Sequence, residues 1–249
     1  MEKLLYNLNP TILNYNMENP HNDFMLSQQD AYSTIRASHS FAGKVLFFFG
    51  LALLISAAGT FTGFQYIGAL FVENPQLMWL FFAAELILVF TARIWSTRRP
   101  LNYFLFGLFA FVTGITIVPL LASIILEFGG PALIIKALGA TTLTFSAVAV
   151  FGWTTNRDLS GLRGFLTASL IGIIIVSLIG IFLPWSNNFE MIFAGFGTIL
   201  FSGYAMYDIQ RLKTFPPDRY VDAALRLYLD IFNLFLFILR LIAGISRSR

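Results

Sequence analysis

The chain has 249 residues, of which 57% are hydrophobic and only 12% charged, and its mean hydropathy is +0.74. A soluble domain carries about a quarter charged residues, so this balance excludes one and points to an all-α polytopic membrane protein. Cysteine is absent, which excludes disulfides, thiol catalysis and thiolate metal sites together. The net charge is +3. Residues 1–43 carry Glu2, Glu18, Asp23 and Asp30 against Lys3 and Arg36, so the basic excess belongs to the apolar remainder. It reads as membrane topology, because a nucleic-acid footprint needs a clustered basic face on a soluble fold. The expected partner is the lipid bilayer, with no nucleic acid.

Residues 1–43 are rich in Asn, Ser and Gln, contain Pro10 and Pro20, and lack an apolar run. They read as a solvated polar tail. A cleavable signal peptide is not expected, since the first apolar run begins only at Val45 and is too long for a signal core. Seven apolar stretches follow, at about 45–71, 77–95, 101–126, 132–153, 165–183, 189–212 and 221–244. Each is near the roughly 20 residues that cross a hydrocarbon core of about 30 Å. Turn and stop residues separate them: Glu73-Asn74-Pro75, Arg98-Arg99-Pro100, Gly129-Gly130-Pro131, residues 154–164, Pro184 with Asn187 and Asn188, and Phe215-Pro216-Pro217. The organisation expected is a tail over 1–43, a seven-helix membrane domain over 44–246 and a basic end over 247–249.

Positive residues in short loops mark the cytoplasmic side. Lys44 precedes the first stretch, Arg98 and Arg99 follow the second, Arg157 and Arg163 the fourth, and Arg211, Lys213 and Arg219 the sixth. The alternate loops hold only Glu73, Glu127 and Glu190. This puts the N-terminus in the cytoplasm, and the short loops suit a bacterial inner membrane. Seven crossings then carry the C-terminus outside, although Arg247 and Arg249 sit there. Either the rule yields at this end or the last segment re-enters.

Small residues in the first (Gly50, Gly59), third (Gly107, Gly114) and sixth stretches (Gly195, Gly197, Gly203) suit close helix packing. Pro119 interrupts the third and frees a carbonyl that Thr113 or Thr116 could satisfy.

Ionisable residues inside spans are expensive and therefore informative. Glu85 and Arg93 lie in the second stretch, Lys136 in the fourth and Asp208 in the sixth. On the last helix Asp222, Arg226, Asp230, Asn233 and Arg240 fall within an arc of roughly 80°, a polar stripe expected to turn inward. Each charge at a helix centre costs about 2.5–3.5 kcal/mol on insertion scales, so other helices should surround this one. Asp208 and Asp230 straddle the proline turn and lie level if it is centred at residue 219. The turn falls about two residues short of that, and a stagger of roughly one helical turn would bring the carboxylates together. Two such groups in low dielectric cannot both ionise easily, so the pair would hold one proton at low pH and release it as pH climbs. Deprotonated, the same oxygens, with an amide oxygen such as that of Asn233, suit transient calcium binding. The alternative is plain ion pairing, Asp230 with Arg226 and Asp208 with Arg211.

At these residues the chain resembles the transmembrane Bax inhibitor motif family, also called the Bax inhibitor-1 family. The resemblance rests on Tyr207-Asp208-Ile209-Gln210, on Leu227-Tyr-Leu-Asp230-Ile-Phe-Asn233-Leu-Phe235, and on Phe111-Val-Thr-Gly-Ile-Thr-Ile-Val-Pro119. It covers about residues 44–246. It implies seven transmembrane helices, six wrapped around a polar central seventh, and a pH-sensitive calcium leak latched by the aspartate pair, here Asp208 and Asp230. The acidic residue of the family's second helix carries over onto Glu85. The family also places a basic lock at the inner end of that helix, where this chain has Ser96 between Arg93 and Arg98. Bacterial relatives are linked to modulation of a membrane protease.

The leading expectation is therefore a calcium leak channel with no cofactor, in which calcium is the permeant ion and protons gate it. Asp208 and Asp230 would carry the function, supported by Glu85, Arg93, Arg98, Asp222, Arg226 and Asn233. The other reading is a membrane interaction protein that modulates a membrane-bound protease or a stress or cell-death pathway. Enzyme activity is not expected. The last helix has no lysine for a retinal Schiff base, and His21 and His39 lie in or near the tail, away from Ser146 and Ser202.

Overall fold

The computed structural model describes residues 20–248, and between 20 and 39 it describes side chains only at Met25 and Gln28. Among the described residues every regular element is a helix. Helix α1 (Pro20–Thr62) runs through a π turn (Gly63–Ile67) into the short α2 (Gly68–Glu73). Then come α3 (Pro75–Phe90), α4 (Ala92–Trp95), α5 (Leu101–Thr116), α6 (Val118–Phe128), α7 (Ala132–Thr154), α8 (Leu162–Phe182), α9 (Asn187–Arg211) and α10 (Tyr220–Arg247). The first nineteen residues of the expected tail lie outside the described residues. The rest of it is helical from Pro20, and Phe41 and Ala42 are already buried. A proline suits a helical start because the amide it lacks would be unpaired there.

Among the described residues six helices are long and apolar enough to cross a membrane: Ser40–Glu73, Leu101–Phe128, Ala132–Thr154, Leu162–Phe182, Asn187–Thr214 and Pro217–Arg247. The second expected stretch is shorter, a 16-residue apolar helix of about 24 Å. Its end is local chemistry, since the Thr91 hydroxyl donates to the Ile87 carbonyl that already accepts the Thr91 amide, and the chain turns before α4. Pro119 likewise splits the third stretch at Ile117. Neither threonine answers as expected: the Thr113 hydroxyl donates to Phe109 O, and that of Thr116 reaches Thr113 O and Glu85.

Helix α1 packs against α5, and α9 against α7 and α10. Small residues allow both approaches. A methyl on Gly114 would sit 2.0 Å from Ser56 O, and one on Gly59 2.2 Å from Phe111 O. Gly197 lies under the Phe237 ring, and Gly152 meets the Met206 backbone. Gly50 and Gly195 face open space, so only some of the small residues serve packing. Helix α10 touches α9, α1, α7 and α5 and buries fifteen of its 28 residues. By contrast α8 packs chiefly on α9, buries two residues, and presents Phe165, Ile171, Ile174 and Leu178 outward, as suits a lipid-facing helix.

The two ends of the bundle differ in charge. At one, Lys44 and Arg99 approach the Tyr220 ring, and Gln210 at the end of α9 bonds the α7–α8 loop at Arg157 O and Leu159 N. At the other, the Arg247 Nε and Nη2 donate to Glu127 at 2.6 and 2.7 Å, and Nη1 lies 3.3 Å from Glu190. Helix α10 is continuous from the basic end to the acidic end, where Arg247 is neutralised by Glu127 and Glu190.

Two outcomes are expected. Because the natural chain has no cysteine, Gly130→Cys and Ser248→Cys should label with an impermeant thiol reagent from one side of the membrane and Ser160→Cys from the other. Gly114→Ala should force α1 from α5 and lower stability in detergent by about 1–3 kcal/mol, seen as a lower melting temperature.

Candidate functional site

Asp208 lies in the last turn of α9, and Asp230 lies near the middle of α10. The helices are joined by the short helical turns Leu212–Thr214 and Pro217–Arg219, which return the chain so that the two helices pack side by side. Both carboxyls are buried, at 6% and 5% exposure. The pairing alternative fails on distance. Among the described residues neither aspartate has a cation within 4.0 Å, Arg226 instead approaches Asp222 at 3.6 Å one turn away, and the Arg211 guanidinium lies over the Phe215 ring at 5.1 Å. The charges acting on Asp230 are those of Asp208 and Arg226, and those acting on Asp208 are Arg226, Arg211 and Asp222. The two aspartates thus share one nearby cation without either being paired to it. The Asp230 Oδ2 is buried with no hydrogen-bond partner among the described residues. A carboxyl oxygen in that state is costly to leave charged.

The rest of the stripe departs from the inward reading. Asp222, Arg226 and Asn233 are half-buried and Arg240 is exposed, leaving Asp230 as the one fully buried member. The angular order explains this: Asp230 stands at the edge of the stripe nearest the buried Ala223 and Leu234. The Asn233 amide donates to its own helix at Leu229 O, 2.8 Å, which turns its nitrogen to the backbone. Arg93 and Arg98 are both exposed, while Ser96 is buried and its carbonyl accepts from the buried Asn102 amide at 3.1 Å. The basic group that acts on both aspartates is Arg226 of α10, and neither Arg93 nor Arg98 is within 4.0 Å of a carboxylate among the described residues. Lys136 is exposed as well.

Glu85 on α3 sits apart from this pair. It is half-buried, and the Thr116 hydroxyl of α5 donates to it. Thr116 also reaches Thr113 O at 3.1 Å. Beyond them the fully buried Tyr228 donates its hydroxyl to Ser56 Oγ at 3.0 Å, with Phe106 and Phe109 edge-on to its ring. Sequence reasoning missed Tyr228 and Ser56. A hydroxyl inside an apolar run is a weak signal, because serine and threonine in membrane helices commonly bond their own backbone.

The model of the family described as inhibitor of apoptosis-promoting Bax1 matches residues 38–248. The chain belongs to the Bax inhibitor family. Its relatives include an uncharacterised protein of Helicobacter pylori strain J99, 34% identical over 91% of this chain and 93% of the other. Bax inhibitor 1 of Schizosaccharomyces pombe is 32% identical over 70% of this chain and 64% of its own length. Protein lifeguard 4 of mouse is 28% identical over 91% and 94%. The family match spans all six long helices, so this Bax inhibitor family member is an integral multi-pass membrane protein.

Removing the shared cation tests the cluster. Arg226→Gln should lower stability by roughly 1 kcal/mol while the aspartates are ionised, less than for a fully buried pair because Arg226 is partly exposed, seen as a lower melting temperature. The cation stabilises only the charged carboxylates, so the difference should shrink as pH falls and they take up protons.

Proposed function

We propose that the protein is a pH-sensitive calcium leak channel, and not an enzyme, with α10 as the polar seventh helix around which the other six, including the short α3, are wrapped. The single observation behind this reading is the pair of buried aspartates on facing helices with no ion-pair partner. Such a pair binds a proton between its members when protons are abundant and repels itself when they are not. Repulsion would be relieved by separation of α9 and α10 or by a hard cation bound to the carboxylate oxygens. Glu85 offers a second carboxyl on the α3 side of the bundle, and Arg226 sets the charge balance. The N-terminus would be cytoplasmic and the membrane the inner membrane of a bacterium.

Liposomes containing the full chain should release calcium at a rate that depends on pH, and Asp208→Asn and Asp230→Asn should each flatten that dependence, since one carboxyl has no partner to share a proton with. An unchanged profile in both variants would end the reading. The second reading, modulation of a cell-death or protease pathway, is favoured by names among the relatives, Bax inhibitor 1 of fission yeast and Golgi anti-apoptotic protein of vaccinia virus. Partner co-purification that depends on residues 1–40 and ignores both aspartates would favour it.

A further inference from the structure

At the basic end of the bundle two cations converge on one aromatic ring. The Arg99 guanidinium lies 5.0 Å from the centroid of Tyr220 and the Lys44 ammonium 6.0 Å from it. Both side chains are exposed, Tyr220 is buried, and no described carboxylate stands within ion-pair distance of either cation. Like charges repel, and an aromatic face offsets that by only about 0.5–1 kcal/mol per cation at exposed sites. Both cations are thus left without a carboxylate partner among the described residues.

The hydroxyls beside it fit the same ligand. Tyr103 and Tyr220 are hydrogen-bonded through their hydroxyl oxygens, a contact that uses one of the two hydroxyl hydrogens and leaves the other to donate outward. Phe48 stacks on Tyr103 at 5.2 Å and closes the ring cluster from α1. Two cations and a spare hydroxyl donor suit the oxygens of a phosphate. Next to them, α1 and α5 expose Phe47 and Phe104 at 66% and 67%, which offer apolar contact to hydrocarbon chains.

Depth selects the source of the phosphate. Lys44 lies four residues into the first apolar helix, Arg99 two residues before the second long one, and Tyr220 at the start of α10, so all three sit where helices enter the headgroup layer. We infer that Lys44, Arg99, Tyr103 and Tyr220 form a binding site for the headgroup of an anionic phospholipid, whose chains lie along Phe47 and Phe104. Basic pockets between helices on the positively charged side are suited to such headgroups.

The test uses the full chain in mild detergent, with bound lipid counted by native mass spectrometry after incubation with phosphatidylglycerol, phosphatidylcholine or glycerol phosphate. The wild type is expected to retain phosphatidylglycerol over phosphatidylcholine, and Lys44→Gln with Arg99→Gln to bind it at least tenfold more weakly. Arg157→Gln with Arg163→Gln, basic residues of another loop at the same end, should bind it as the wild type does. The single variants Lys44→Gln and Arg99→Gln, each expected to be intermediate, carry the comparison if the double variant does not fold. Equal retention in wild type and the Lys44 and Arg99 variants, or equal retention of the two lipids, would overturn the site. Binding of glycerol phosphate as tight as that of the lipid would assign it to a soluble anion instead.

Discussion

A carboxyl group buried among apolar helices is costly unless a partner meets it, and the arrangement of α9 and α10 is organised by how this chain meets that demand. Asp208 and Asp230 are buried on two helices that pack together, with no cation at bonding distance among the described residues. Their environment instead holds Arg226, which is partly exposed and leans toward Asp222. One cation serves two carboxyls loosely, so the charge of the cluster depends on how many protons the carboxyls hold. An ion pair on each aspartate would have fixed that charge, and with it the helix interface.

The surrounding helices keep this interface narrow. Glycines let α1 close on α5 and α7 on α9 at backbone contact, and the rings of Phe193, Phe201 and Phe237 stack across α9 and α10 away from the aspartates. At the far end Arg247 ties the last turn of α10 to Glu127 and Glu190. The last helix is thus anchored at its C-terminal end by charge and at its start by the Tyr103, Tyr220 and Phe48 rings. The aspartate pair lies between the two anchors, with Asp208 close to the turns that join α9 to α10.

Much of this could be read in the sequence because the bilayer leaves few options: apolar runs must be helices, and turn residues must separate them. The long spans and the aspartates followed from that logic. The short α3 did not, because its end at Thr91 falls inside an apolar run, where hydropathy registers no break. Where Arg93 and Arg98 stand was not legible for a related reason. Sequence proximity to the end of a helix does not say which way an arginine points, and both of these arginines are exposed. Arg226 was visible as part of the stripe, yet its service to both aspartates depends on the register of α10 against α9. The basic end of α10 was visible as well, but its partners Glu127 and Glu190, distant in sequence, were not.

The central claim is that Asp208 and Asp230 titrate as one coupled unit. Infrared difference spectroscopy of the reconstituted protein across a pH series would follow the protonated-carboxyl band directly. The account predicts that this band changes in two separated steps in the wild type and in a single step in Asp208→Asn and in Asp230→Asn. Identical titration in all three proteins would contradict it.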